Sequence, residues 1–159
     1  MLSHASAERF FLETIEEKLR GDWDRAWRSL YPLHQRIATR DAFVRCEART
    51  PFSAPLQALR VVDVRDAGVH VPGRPRPVPG VAVDVVVELR WYGPRDPIVF
   101  RHTFHLVPVR GRWAWLLSRS RYRLYERHAC PPEHGRHTAA ARRPSSGWDA
   151  ATVTDTAPA

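Results

Sequence analysis

Past Pro55 the spacing of apolar residues falls from about four to two, so one chain must accommodate a helical layer followed by an extended one. Residues 81–92 carry the clearest alternation. Val81, Val83, Val85, Val87, Leu89 and Trp91 take one face, while Asp84, Glu88 and Arg90 take the other. Residues 56–71 and 98–109 read as further strands, the latter with Ile98, Phe100, His102, Phe104 and Leu106 on one face. Gly111 marks a tight turn, and residues 112–125 read as the last strand, with Trp113, Trp115 and Leu117 together. Residues 72–80 hold four prolines and are expected to be a loop, since proline cannot donate to a central ladder. Residues 93–97 read as a turn.

Before Pro55 the pattern is helical. In residues 7–20, Ala7, Phe11, Ile15 and Leu19 recur every four positions, with Ser6 as cap and Gly21 as stop. Asp22 caps a second helix over residues 23–31 that Pro32 ends, its apolar face formed by Trp23, Ala26, Trp27 and Leu30. Thr39 caps a third, residues 40–48, which turns Ala42, Phe43 and Cys46 inward. The class is therefore α+β: three N-terminal helices packed on an antiparallel sheet.

The sequence has 159 residues, 43% hydrophobic and 26% charged, enough for one domain with a core. That domain is expected over residues 1–130. Residues 131–159 are rich in Pro, Ala, Ser and Thr and bury too little to order themselves, so they are expected to be a disordered tail. The tail's charges cancel, which places the net charge of +8 on residues 1–130. Of 25 basic residues only Lys18 is lysine, an arginine bias typical of GC-rich, often bacterial, coding sequence. No run of 18 apolar residues is present, which excludes a membrane-spanning helix. The first twelve residues lack a signal peptide's apolar run, which points to the cytoplasm unless an export signal precedes the given start.

Two segments resemble a known superfamily. Ala7-Glu8-Arg9-Phe10-Phe11, leading to Gly21-Asp22-Trp23-Asp24-Arg25-Ala26-Trp27, looks like the opening of nuclear transport factor 2-like proteins. Val107-Pro108-Val109-Arg110-Gly111-Arg112-Trp113-Ala114-Trp115-Leu116-Leu117 is similar to their closing hairpin. The resemblance covers about residues 7–125 and implies a strongly curved sheet wrapped on a helix, a cone-shaped roll with an apolar pocket inside. Members include isomerases, dehydratases and polyketide cyclases of the SnoaL-like kind, as well as non-catalytic binding and accessory domains, and the fold does not choose among them.

Within that frame His102, flanked by Phe100 and Phe104, is the candidate pocket base, its imidazole titrating near neutrality. Tyr31 and His34 fall where the cone mouth would be and, with Trp115, complete a candidate ligand-binding set. Asp63 and Asp84 are the strand carboxylates, and neither matches a catalytic position of the superfamily. In the implied fold Cys46 and Cys130 can approach one another and form a disulfide, or remain thiols. His128, Cys130, His134 and His137 have no standard metal spacing, so no metal or cofactor is expected. Arg119, Arg121 and Arg123, alternating on the expected last strand near Arg110, Arg112 and Arg127, form a stripe for an anion or nucleic acid, but no nucleic-acid motif accompanies it. Residues 74–79 resemble a polyproline ligand and read better as a strand connection.

These readings converge on a non-catalytic domain that binds a small apolar or amphipathic molecule or serves as an accessory subunit. An enzyme of the isomerase, cyclase or dehydratase type with His102 as base is the alternative, and anion or nucleic-acid binding through the arginine stripe is a third. Dimerisation through the outer sheet face is compatible with each.

Overall fold

Ser3 opens the first helix, α1 (His4–Leu19), one turn earlier than the expected Ser6. A computed structural model of the chain describes residues 2–49, 56–90 and 96–130. The Ser3 hydroxyl accepts from the Ser6 N–H at 3.2 Å, and the Ser3 N–H donates to the Ser6 hydroxyl at 2.9 Å, a reciprocal box that satisfies two orphan donors. Ala7, Phe11, Thr14 and Ile15 are buried, but Leu19 is 45% exposed. A strict four-residue spacing drifts about 40° per step on a helix of 3.6 residues per turn. By Leu19 the row has left the inner face, and Lys18 lies nearer to it.

Gly21, at φ +73°, breaks the chain, and Asp22 caps α2 (Trp23–Arg28) by accepting from the Arg25 N–H. This helix stops three residues short of the expected end because the chain turns to pair with the sheet. The Tyr31 N–H donates to the Trp115 carbonyl at 2.8 Å, and the Trp115 N–H to the Ser29 carbonyl at 2.7 Å. Pro32 begins α3 (Pro32–Ile37), an element the sequence reading missed: at the first helical position proline loses no hydrogen bond. Thr39 caps α4 (Arg40–Glu47) as expected. Among the described residues four helices, not three, precede the sheet.

The sheet is an antiparallel meander of β1 (Leu56–Val69), β2 (Val78–Leu89), β3 (Ile98–Val109) and β4 (Arg112–Trp115), in that spatial order. Val81, Val83, Val85, Val87 and Leu89 are buried against the helices. Opposite them on β3 stand Leu106, Phe104, His102, Phe100 and Ile98, which the register places on the same face. A slip between Val61 and Asp63 of β1 leaves Val62 as the extra, exposed residue of a bulge. Residues 78–80 belong to β2 rather than to the expected loop. Pro79 is tolerated because β3 joins only from Val81, leaving that stretch of β2 with one neighbour. Arg110 and Gly111, both at positive φ, make the two-residue turn into β4. The sheet curls so closely at this end that a Cβ on Gly80 would strike the Leu106 carbonyl and the Val69 side chain. Trp91, residues 93–95 of the expected turn, and the expected tail at 131–159 lie outside the described residues.

The second half of the last expected strand is a helix. β4 ends at Trp115, and Ser118 caps α5 (Arg119–Glu126) by accepting from the Arg121 N–H at 3.3 Å. Tyr122 and Tyr125, three apart, are its buried residues, and that spacing belongs to a helix. Tyr125 packs on Phe43 of α4 at 6.0 Å between ring centres. Tyr122 packs on His34 of α3 at 5.2 Å. A second, smaller core of Val69, Val71, Val107 and Ala114 lies apart from the main one.

Cys46 and Cys130 are joined by a disulfide across 84 positions, with 5.1 Å between their Cα atoms. It ties α4 to the chain leaving α5. No described helix is long and apolar enough to cross a membrane. Because the bond closes about half of the chain into a loop, Cys46→Ser with Cys130→Ser should cost about 2–4 kcal/mol in urea unfolding. Identical denaturation midpoints for the double variant and the parent would mean that the bond does not constrain the unfolded chain.

Candidate functional site

Along the concave face of β3 the side chains opposite the fully buried valines of β2 are themselves only half-buried: Phe100, His102 and Phe104. The His102 ring meets Phe104 edge-on, 4.4 Å between centres. Phe104 lies 5.0 Å from Phe11 and 5.3 Å from Trp115. Trp115 is stacked on Phe11 at 5.8 Å, nearly parallel. At the far end of this aromatic strip the Lys18 Nζ stands 3.4 Å from the centre of the Trp115 ring, within cation–π range. Each member is fixed by a regular element: His102 and Phe104 by β3, Trp115 by β4, Phe11 and Lys18 by α1.

The Lys18 amine makes no hydrogen bond or ion pair with any described residue. The carboxylate in its neighbourhood is otherwise engaged. Glu47, 3% exposed, accepts a hydrogen bond from the Tyr125 hydroxyl at 2.8 Å and pairs with the Arg121 guanidinium. Burial drives the Lys18 amine down to about 7, and the positive charge of Arg121 adds to the effect, while Glu47 and Glu17 pull weakly the other way. Burial together with the Glu47 charge and hydrogen bond holds Tyr125 far above the usual phenol range, so it remains a donor. Glu17, the next residue on α1, is raised by burial, and its Oε2 is buried without a hydrogen-bond partner among the described residues. A half-buried amine whose proton affinity is lowered in this way can act as a base as well as a cation.

His102 has no polar side chain within hydrogen-bonding reach among the described residues. Its proton affinity is lowered by burial and then by His105. General base catalysis by this imidazole therefore lacks the orienting partner that such sites use.

Tyr31 and His34 do not join the strip. His34 is fully buried between α3, the segment after β1 and the entry to α5. Its Nδ1 accepts from the Leu117 N–H at 2.9 Å, and its Nε2 donates to the Pro72 carbonyl at 3.1 Å. Both ring nitrogens are thus committed to backbone, and burial keeps the ring neutral. Tyr31 packs on His34 at 5.7 Å and borders the second core, with Arg74 over its ring at 5.9 Å. These two residues pack in the fold away from the aromatic strip.

Asp84 points to the outer face, where the Thr103 hydroxyl donates to it at 2.5 Å and Arg65 pairs with it. Burial alone would raise this carboxyl, but those two donors hold it below the usual range. The arginine stripe is not present. Arg119 and Arg123 fall on the same side of α5, while Arg121, two residues from each, turns inward to Glu47. His134 and His137 lie outside the described residues, Cys130 is bonded, and no group of three metal-ligating side chains occurs among the described residues.

Lys18, Glu47, Arg121 and Tyr125 were missed as a set. The available signal was the 3.6-residue row Phe11, Thr14, Ile15, Lys18, which places a lysine on an otherwise buried face. No protein-family model matches the chain, and no curated protein matches it.

Two outcomes are expected. Between pH 7 and 10.5 the unfolded chain holds a proton on Lys18 that the folded chain has lost, so this residue's destabilising effect grows as pH falls through that window and is constant below it. The melting temperature of Lys18→Met should exceed the parent's most at pH 7 or below, with the gap closing toward pH 10.5. A gap independent of pH would mean an ordinary amine. His34→Ala leaves the Leu117 N–H and Pro72 carbonyl unpaired beside a cavity, a loss of about 2–4 kcal/mol by denaturant titration. Since the folded imidazole binds its proton less readily than the unfolded one, His34 costs the parent stability as pH drops below 6.5, and the variant should lose that part of the acid sensitivity.

Proposed function

We propose that this chain is a nuclear transport factor 2-like domain that binds a small amphipathic molecule under its curved sheet. The apolar part of the ligand lies against Phe100, His102 and Phe104, and its polar end meets Lys18. The observation that carries this reading is the Lys18 amine held over Trp115 without a hydrogen bond or ion pair among the described residues. A cation left in that condition is a binding determinant waiting for an acceptor. The half-buried aromatic face leading to it supplies the apolar wall that such sites use. The family half of the reading is supported by the Gly21-Asp22-Trp23 break between α1 and α2 and by the Arg110-Gly111 turn into the tryptophan-bearing β4.

Binding is the reading the residues favour over catalysis, because His102 makes no side-chain hydrogen bond among the described residues. Nucleic-acid recognition loses its basis with the arginine stripe.

Decanoate serves as the probe: an apolar chain with an acceptor at one end. Isothermal titration should show saturable binding to the full chain, weakened about tenfold or more by Lys18→Met, the equivalent of about 1.4 kcal/mol. Phe100→Asp should abolish it. Absence of binding, or binding indifferent to both substitutions, would refute the reading.

A further inference from the structure

Away from the aromatic strip, α3, the connection between β1 and β2 and α5 meet at one corner of the fold. We propose that this corner docks an acidic peptide segment of a partner protein, held by the guanidinium groups of Arg36, Arg74, Arg76, Arg119 and Arg123.

The packing brings these arginines together. The Pro72 carbonyl accepts from His34 of α3, whose ring meets Tyr122 of α5 at 5.2 Å. Gly73 lies so close to both helices that a Cβ there would strike the Tyr122 hydroxyl and approach the Leu33 side chain to 3.1 Å. Arg74 follows directly, its guanidinium 5.9 Å from the centre of the Tyr31 ring. Arg119 is one turn before Tyr122 and Arg36 one turn beyond Leu33, so each shares a helix side with a residue that touches Gly73. Arg123 lies one turn after Arg119. All five arginines are exposed, and none of their guanidinium groups makes a hydrogen bond or ion pair with a described residue.

Charge complementarity identifies the partner. Across α3, residues 70–77 and α5 the only carboxylate is Glu126, at the last position of α5. On the opposite elements the fold supplies counter-charges: Arg20 pairs with Glu16, Arg28 and Arg40 with Asp24, and Arg65 with Asp84. Uncompensated guanidinium groups repel one another, and an acidic segment relieves that repulsion. Each guanidinium also presents a planar fork that matches a carboxylate. Pro72, Pro75 and Pro77 fix φ along the connection, so Arg74 and Arg76 are ordered before a partner arrives. Single-stranded nucleic acid needs exposed rings on which bases stack. The rings here are Tyr31, half-buried with Arg74 over it, and the buried Tyr122 and Tyr125. A membrane surface needs apolar side chains that insert. The exposed large hydrophobic residues described, Leu12, Leu19, Val62, Ile98 and Val99, all belong to other elements.

The probe is a fluorescein-labelled peptide of about ten glutamates, titrated with the full chain at about 150 mM salt, where charges more than about 8 Å apart are largely screened. Saturable binding is expected by fluorescence anisotropy. Arg74→Glu with Arg76→Glu, and separately Arg119→Glu with Arg123→Glu, should each weaken it about tenfold or more. Arg60→Glu with Arg101→Glu, on the outer sheet face, changes the net charge equally and should weaken it less than about twofold. Where a reversal lowers the melting temperature, the alanine version of the same pair takes its place, with a smaller loss in the same order. Absence of saturable binding, or equal weakening by the corner pairs and the sheet pair, would overturn the proposal. A thymidine oligonucleotide of the same length that binds more tightly than the peptide, and is lost with the same corner substitutions, would overturn it too and assign the corner to nucleic acid.

Discussion

The helical layer is organised around one buried charge, the carboxylate of Glu47. At 3% exposure it would be intolerable alone, since removing a carboxylate from water costs several kcal/mol even after the surroundings relax. Arg121 and Tyr125 make it tolerable, and both come from α5, the element the sequence disguised as a strand. The same requirement fixes α5 in place against α4, with the Tyr125 ring on Phe43 and the neighbouring Cys46 bonded to Cys130 just beyond α5. With Glu47 fully employed, the only lysine in the chain is left with an aromatic face rather than a counter-charge. The unusual state of Lys18 thus follows from the way the fold satisfies Glu47.

The fold was legible where burial and periodicity agreed. Val81 to Leu89 alternate because both neighbours of β2 are strands and one face meets the helices, and nothing competes with that pattern. Phe11 and Ile15 were equally plain. The failures were places where two patterns coexist. Ser118-Arg-Ser-Arg-Tyr-Arg-Leu-Tyr125 places arginine at every second position, which imitates a strand, while its tyrosines sit three apart as a helix requires. The hydroxyl of Ser118 resolves the conflict by capping, and a cap is visible only if a helix is already suspected. Pro32 was read as a stop when it is also a permitted start. The bulge at Val62 is why the two faces around Asp63 could not be separated: the alternation shifts there by one residue.

The candidate site was half legible. His102 and Trp115 stand in apolar alternation, so the sequence showed that they face inward, and the register places them on the concave side. It could not show that His102 lacks a polar neighbour, since partners are a property of three-dimensional packing. His34 lay on no strand, and its two backbone bonds join positions 38 and 83 residues away. Lys18 was hidden for a different reason. Hydrophobic patterning counts a lysine as a surface residue, so a lysine on the inner row looks like the end of the row.

An apolar residue of lysine's length at position 18 would preserve the contact with Trp115 and remove the desolvation that the amine suffers. In stability terms alone Lys18 is therefore a poor choice, and the fold contains no hydrogen bond from its nitrogen to offset the loss among the described residues. Local choices that oppose stability without structural return are concentrated where a chain meets something other than itself. Glu47 does not fall in that class, because its cost is recovered in holding α5 to α4. Glu47 and the half-buried Lys18 differ in what the fold directs at them. One is bonded by the Arg121 guanidinium and the Tyr125 hydroxyl, and the other has an indole face and half-buried aromatic rings leading up to it.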